Sequence, residues 1–189
     1  MMVPDQEILE GCRSGERQAF GLLYKKYAPT MLGICMRYCK RKEEAEDVLH
    51  EGFIKVFANV CKFRGDGSFE GWIKRIMINT SLSHYHANLK HYFQSDVEEI
   101  GEMTSGDEDE GVYSNAPPRS ELLSLIQDLP DGYRFVFNMF VFEDFSHKEI
   151  AHELGISVNT SKSQLAKARR RLQKKLQQTY KLQPNIRSK

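Results

Sequence analysis

Phe63, Trp72, Arg75 and Asn79 fall within seventeen residues of one another. Aromatic rings can stack unpaired bases, and cations can follow a phosphate backbone. An asparagine amide offers both a donor and an acceptor to a base edge. A base drawn out of its stack needs such a wall and such a polar group. Arg64 lies in the stretch 62–68, a loop by its glycines, and Lys74, Arg75 and Asn79 lie on the polar side of a helix opening at Phe69. With Phe63 and Trp72 they are the candidate contacts to single-stranded nucleic acid. The plainer alternative is that Phe63, Phe69 and Trp72 belong to a core.

A second constellation spans Ser146–Leu172. Ser146 and Glu149 have the spacing of a capping box, in which each side chain satisfies a free N–H of a helix start. Ile150, Ala151 and Leu154 give that helix one apolar stripe, and Gly155 stands where a short helix would stop. Ser157 can cap a following helix whose buried side carries Val158, Leu165 and Leu172, with Lys162, Lys167, Arg169, Arg170 and Arg171 on the remainder. A short helix, a glycine turn and a second helix with a basic outer face make a helix-turn-helix. A basic face can be merely solvated, but such faces usually mix signs to gain i,i+4 pairs. From Leu154 to Lys189 there are ten Lys or Arg and no Asp or Glu. A face of one sign repels itself unless an anion covers it.

The elements that must carry these residues are all helical. Ile8, Leu9 and Cys12 share one face of a helix over 5–13. Phe20, Leu23, Tyr24 and Tyr27 follow at i, i+3, i+4, i+7, and Pro29 is expected to kink or restart that helix. Ala45, Val48, Leu49, Gly52, Phe53, Val56, Phe57 and Val60 form an unbroken stripe, with Glu46, Asp47, His50 and Glu51 on its polar side. Gly52 in mid-helix costs about 1 kcal/mol against alanine and implies close packing or a partner's approach. Periodicity is lost from 88 to 118, where Gly, Ser, Asp and Glu dominate. It resumes with Leu122, Leu125, Ile126 and Leu129, stops at Pro130, and continues through Phe135, Val136, Met139 and Phe140. No useful strand alternation occurs. The expected architecture is all-α, with helical domains over 1–90 and 119–180, a flexible acidic linker over 91–118 and a basic tail over 181–189.

Composition narrows the class. The chain has 189 residues, enough for one large or two small domains, and a net charge of +1. That near-neutrality conceals an asymmetry, because Ser95–Glu110 holds eight acidic residues and no basic ones. No apolar run approaches the ~20 residues that span a bilayer, and MMVPDQEILEG lacks an apolar signal region, so a cytoplasmic protein without membrane insertion is expected. Cys12, Cys35, Cys39 and Cys61 form no CxxC, and Cys35 and Cys39 read as small core residues. His152-Glu153 begins like a metalloprotease motif, but Ile156 occupies the second histidine position. There is no phosphate loop, dinucleotide fingerprint or nucleophile motif, so neither an enzyme, a metal site nor a cofactor is expected.

Two sets of residues carry a family resemblance. Ala45-Glu46-Asp47-Val48-Leu49-His50-Glu51-Gly52-Phe53, Phe63-Arg64-Gly65 and Phe69-x-x-Trp72-Ile73-x-Arg75-Ile76-x-x-Asn79 resemble region 2 of bacterial extracytoplasmic-function sigma factors. Leu129-Pro130-x-x-Tyr133-Arg134 and Ser146-x-x-Glu149-Ile150-Ala151-x-x-Leu154-Gly155-Ile156-Ser157-x-x-Thr160 resemble region 4 of the same family, and Thr160–Leu165 is similar to its Bacteroidetes branch. The resemblance implies a transcription initiation subunit. Asp47, His50, Glu51 and Phe53 would dock on the β′ clamp of core RNA polymerase. Phe63, Arg64, Trp72, Lys74, Arg75 and Asn79 would open and hold the −10 element of promoter DNA. Arg134, His147 and Lys148 would touch phosphates of the −35 element. Asn159, Thr160, Lys162, Ser163, Lys167 and Arg170 complete that set of duplex contacts, several of them in the major groove. The first two helices of region 4 would also grip the β flap, the linker would thread toward the active-site cleft, and an anti-sigma factor would be a further partner.

Some residues depart from the family pattern. His50 stands where glutamine is usual, Gly52 where a larger residue is, Ser161 where an apolar one is, and Gln164 where arginine is frequent. The competing expectation is a helix-turn-helix regulator that binds duplex DNA without polymerase. It accounts for 146–177 but leaves the aromatic and basic segment 63–86 unexplained.

Overall fold

A computed structural model describes residues 3–92 and 117–180. The expected acidic linker, apart from its two ends, and the basic tail lie outside the described residues. The chain divides into two compact units, Met1–Asn88 and Leu89–Lys189. Among the described residues every regular element is helical. None of the helices is long and apolar enough to cross a membrane.

The first unit comprises α1 (Asp5–Arg13), α2 (Arg17–Tyr38), α3 (Lys42–Asn59), a single 3-10 turn (Val60–Lys62) and α4 (Phe69–Tyr92). The stripes read from the sequence supply most of its core, and Met31 and Met77 join it from outside them. Leu23, Met31, Cys35, Val48, Val56, Ile73 and Met77 have no exposed surface. Burial pushes the Cys35 thiol up to about 12, as suits a core residue. Helix α2 runs through Pro29 as one element, so the helix does not restart there. Pro29 and Lys25 are both exposed, so the missing hydrogen bond falls on the solvent side of the helix. Helix α4 continues to Tyr92, beyond the loss of apolar periodicity, because no glycine or proline interrupts that stretch. Gly52 settles its own question. A Cβ there would stand 2.3 Å from the sulfur of fully buried Met77, so α3 and α4 pack where no larger residue fits.

The second unit comprises α5 (Arg119–Gln127), α6 (Asp131–Val141), α7 (His147–Leu154) and α8 (Val158–Tyr180). Both halves of the capping box form at Ser146 and Glu149. Gly155 ends α7 with φ 66°, a left-handed conformation that favours glycine. Ser157 Oγ accepts a 2.9 Å hydrogen bond from the Thr160 amide and so caps α8. Ile150, Ala151, Leu154, Leu165 and Ala168 close the apolar seam of the helix-turn-helix, against Phe135, Val136 and Met139 of α6.

Candidate nucleic-acid interface

Helices α3 and α4 meet at an open recess of about 350 Å³. Trp72, Ile76, Asn79 and Thr80 line one side, and Lys55, Asn59 and Lys62 the other. Trp72 is half-buried and held by a ring cluster: it stacks on Phe69 at 5.8 Å and 12°, and meets Phe63 at 5.6 Å. Phe63 is 8 % exposed and so belongs to that support, not to the contact surface expected of it. Buried against Trp72, the Phe63 ring has no open face for a base. Asn79 and Arg75 are exposed along α4, and Arg64 is exposed in the loop. Lys74 is half-buried.

The polar rim is already organised. Lys55 Nζ lies 2.7 Å from Glu51 Oε1 and donates to Thr80 Oγ1 at 3.3 Å. Asn59 donates to the Lys55 carbonyl at 2.8 Å, which uses one of its two amide protons. Ser83 Oγ donates to the Asn79 carbonyl at 2.9 Å. The recess can therefore present ammonium and amide groups beside an indole face, the chemistry that an unstacked base and its phosphate require. Lys55 and Asn59 were not legible in the sequence because they come from the end of α3, and Lys62 was legible only as the first residue of the loop. Only the packing of α3 on α4 brings them to Asn79.

On the adjoining face of α3, Asp47, His50 and Glu51 are exposed, as their spacing implies. Phe53 is not: it is 2 % exposed and packs on Tyr24 at 4.7 Å. Its expected place on the docking face is corrected to the core, since it lies on the stripe that faces α2. Ile54 occupies that face instead, 66 % exposed and one turn beyond His50 and Glu51. An apolar residue breaking a polar row was the signal available for it.

In the second unit the outer row of α8 carries Asn159, Ser163 and Arg170, opposite the inner row Ser161, Leu165 and Ala168. Asn159, Lys162 and Arg170 are exposed, while Thr160, Ser163 and Lys167 are half-buried. Ser163 Oγ donates to the Thr160 carbonyl at 3.0 Å. Lys148 is exposed at the start of α7, and His147 is half-buried beside it. Gln164 points at Gly132 of α6, 3.0 Å from where a Cβ would stand. It is a packing residue of the inner face.

Arg134 is the clearest correction. It is 2 % exposed, pairs with buried Asp131, and donates to the carbonyls of Leu129 at 3.1 Å and Gln127 at 3.3 Å. A buried guanidinium held by these three partners pins the α5–α6 junction and has no reach to a phosphate. A basic residue reads as surface from sequence, and nothing local marks this one as paired.

A helix-turn-helix in one unit and a polar, ring-walled recess in the other define a nucleic-acid-binding protein. Comparison with known proteins narrows this. The family Sigma-70 region 2 matches residues 23–89, and Sigma-70, region 4 matches residues 119–172. The chain is 35 % identical to RNA polymerase sigma-H factor of Pseudomonas aeruginosa, over 92 % of this chain and 94 % of that protein. It is 28 % identical to the ECF RNA polymerase sigma-E factor of Haemophilus influenzae, over 92 % and 95 % respectively. A solved sigma factor RpoE, in complex with the anti-sigma factor NepR from Bartonella quintana, shares the fold. It has a TM-score of 0.51 and 19 % identity, over 84 % of this chain and 96 % of that one. The chain belongs to the sigma-70 family of RNA polymerase sigma factors, in its extracytoplasmic-function group.

Proposed function

We propose that this sigma factor divides its work between the two units. The recess beside Trp72 and Asn79 receives one unstacked base of the −10 element, with Lys55 and Lys62 of its lining toward the backbone of the opened strand and exposed Arg75 of α4 farther along that backbone. The observation that carries this reading is the recess itself: Lys55, Asn59 and Lys62 join Trp72 and Asn79, two of the residues expected at the −10 element, around one opening. The exposed row Asp47, His50, Glu51 and Ile54 docks on the β′ clamp of core polymerase. The outer row of α8, with Lys162 and Lys167 at its margins, enters the major groove of the −35 element. Phe142 and Val141, each 40 % exposed at the end of α6, are the apolar surface offered to the β flap. A solved sigma factor that shares this fold is in complex with an anti-sigma factor, so an anti-sigma factor is a further partner in this reading.

Transcription in vitro with core polymerase tests the division. Asn79→Ala assembles with core normally and retains −35 binding, yet opens thymines of the −10 element poorly to permanganate. A template already melted there restores run-off transcription. Wild-type opening by Asn79→Ala removes the −10 assignment. Failure of the unaltered chain to open any promoter with core polymerase removes the whole reading and leaves a duplex-binding regulator.

A further inference from the structure

Ser161 is a polar residue on the inner row of α8, fully buried among Leu165, Ala168 and the facing residues of α7. Its hydroxyl lies 2.9 Å from Nδ1 of His147, the first residue of α7. The imidazole also stacks on Phe140 of α6, 4.7 Å between centroids and 24° between planes. The stack fixes the plane of the ring, and the hydrogen bond fixes its rotation within that plane.

We propose that Ser161 is a positioning residue that holds His147 Nδ1 inward and leaves Nε2–H as the donor to a backbone phosphate of duplex DNA. The proposal rests on the reading of α7 and α8 as the −35 binding unit. An imidazole has two nitrogens, and in the neutral ring one donates while the other accepts. If Nδ1 accepts from the Ser161 hydroxyl, the proton sits on Nε2, the only nitrogen left for a ligand. Burial, then Lys162 and then Arg169, hold the His147 pKa below the ordinary imidazole value, which keeps the free ring neutral near pH 7. Those two cations from α8 also supply the positive potential that draws a phosphate to this edge. The Arg169 guanidinium lies over the Phe140 ring at 5.8 Å, on the element that carries the histidine stack. A serine hydroxyl can rotate and accept as readily as it donates. The ring therefore keeps its place when Nδ1 takes up a proton from solvent, in acid or beside the negative charge of an arriving phosphate. Alanine or valine at 161 leaves Nδ1 against an apolar wall without a partner and frees both tautomers.

The full chain labelled with ¹⁵N-histidine reads the tautomer directly from long-range proton–nitrogen spectra. The expected result at pH 7.5 is His147 protonated on Nε2 in the unaltered protein and a tautomer mixture in Ser161→Ala. Binding of the holoenzyme to a promoter duplex recovered in the transcription experiment reads the consequence. His147→Ala weakens it about tenfold, the equivalent of one charge-assisted hydrogen bond, Ser161→Ala weakens it about twofold because a mixture of tautomers halves the competent fraction, and the double variant is no weaker than His147→Ala alone. A proton on Nδ1 in the unaltered protein, or an unchanged tautomer in Ser161→Ala, overturns the proposal while leaving the −35 reading intact. Full affinity in His147→Ala overturns the phosphate contact. An unaltered holoenzyme that ignores the duplex brings down the −35 reading and the proposal with it, and that failure shows in the wild type.

Discussion

The Arg13 guanidinium donates a 2.6 Å hydrogen bond to the carbonyl oxygen of Phe63, fifty residues along the chain. It ties the last residue of α1 to the start of the loop that leads into α4. Phe63 in turn supports Trp72 at the recess. Arg13→Ala should cost about 1 kcal/mol in urea unfolding, the net value of one partly exposed hydrogen bond. It should slow permanganate-detected opening of duplex promoters more than it lowers core affinity. Equal promoter opening in variant and wild type would show that the tie does not reach the recess.

Ile54 and Phe53 are neighbours with opposite roles, and truncation separates them. Ile54→Ala should leave the unfolding midpoint within about 0.5 kcal/mol, as exposed substitutions usually do. It should weaken core polymerase binding in titration, additively with Asp47→Lys if the contacts are independent. Phe53→Ala should destabilise by about 3–5 kcal/mol through the cavity left against Tyr24. Undiminished core affinity in Ile54→Ala would take this row off the polymerase-facing surface.

Arg134 distinguishes a buried pin from a phosphate contact. Breaking a buried ion pair from one side typically costs about 3–5 kcal/mol because a charge is left uncompensated. Arg134→Gln should therefore lower the thermal midpoint of the second unit sharply, and Asp131→Asn should do so as well. In holoenzyme below that midpoint, the slope of log affinity against log salt should be unchanged. Lys162→Gln should show the reverse pattern, with stability kept and the slope reduced by about one. A reduced slope for Arg134→Gln would return this residue to the DNA surface.

Gly52 sets a helix gain against a steric loss. Alanine gains about 1 kcal/mol of helix propensity. Its Cβ, however, would overlap the sulfur of Met77, which has no exposed surface into which to move. Overpacking of that kind costs about 1–3 kcal/mol, so Gly52→Ala should be neutral to destabilising. Met77→Val should relieve part of the loss in the double variant. Denaturant unfolding of the four proteins checks this. A simple sum of the two single effects would show that the sites do not touch.

The sequence by itself determined the local structure. The capping box at Ser146 and Glu149, the stop at Gly155 and the cap at Ser157 all form as their spacing implies, because each involves groups within one turn of helix. The stripe Ala45 to Val60 and the basic side of α8 were legible for the same reason: helical period assigns a face without knowledge of what packs there. The tertiary structure decided which members of those faces are available. Phe63 and Trp72 are both aromatic and both near the loop, but only the ring stack on Phe69 determines which lies beneath and which lines the recess. Arg134 is a cation like Lys148, and only Asp131 with two carbonyls of the α5–α6 junction turns it inward. Lys55 and Asn59 meet Asn79, and Ser161 meets His147, through contacts between residues fourteen to twenty-four positions apart. Such meetings depend on how close two helices approach and at what rotation, which are set by side-chain volumes across the whole seam, Gly52 against Met77 among them.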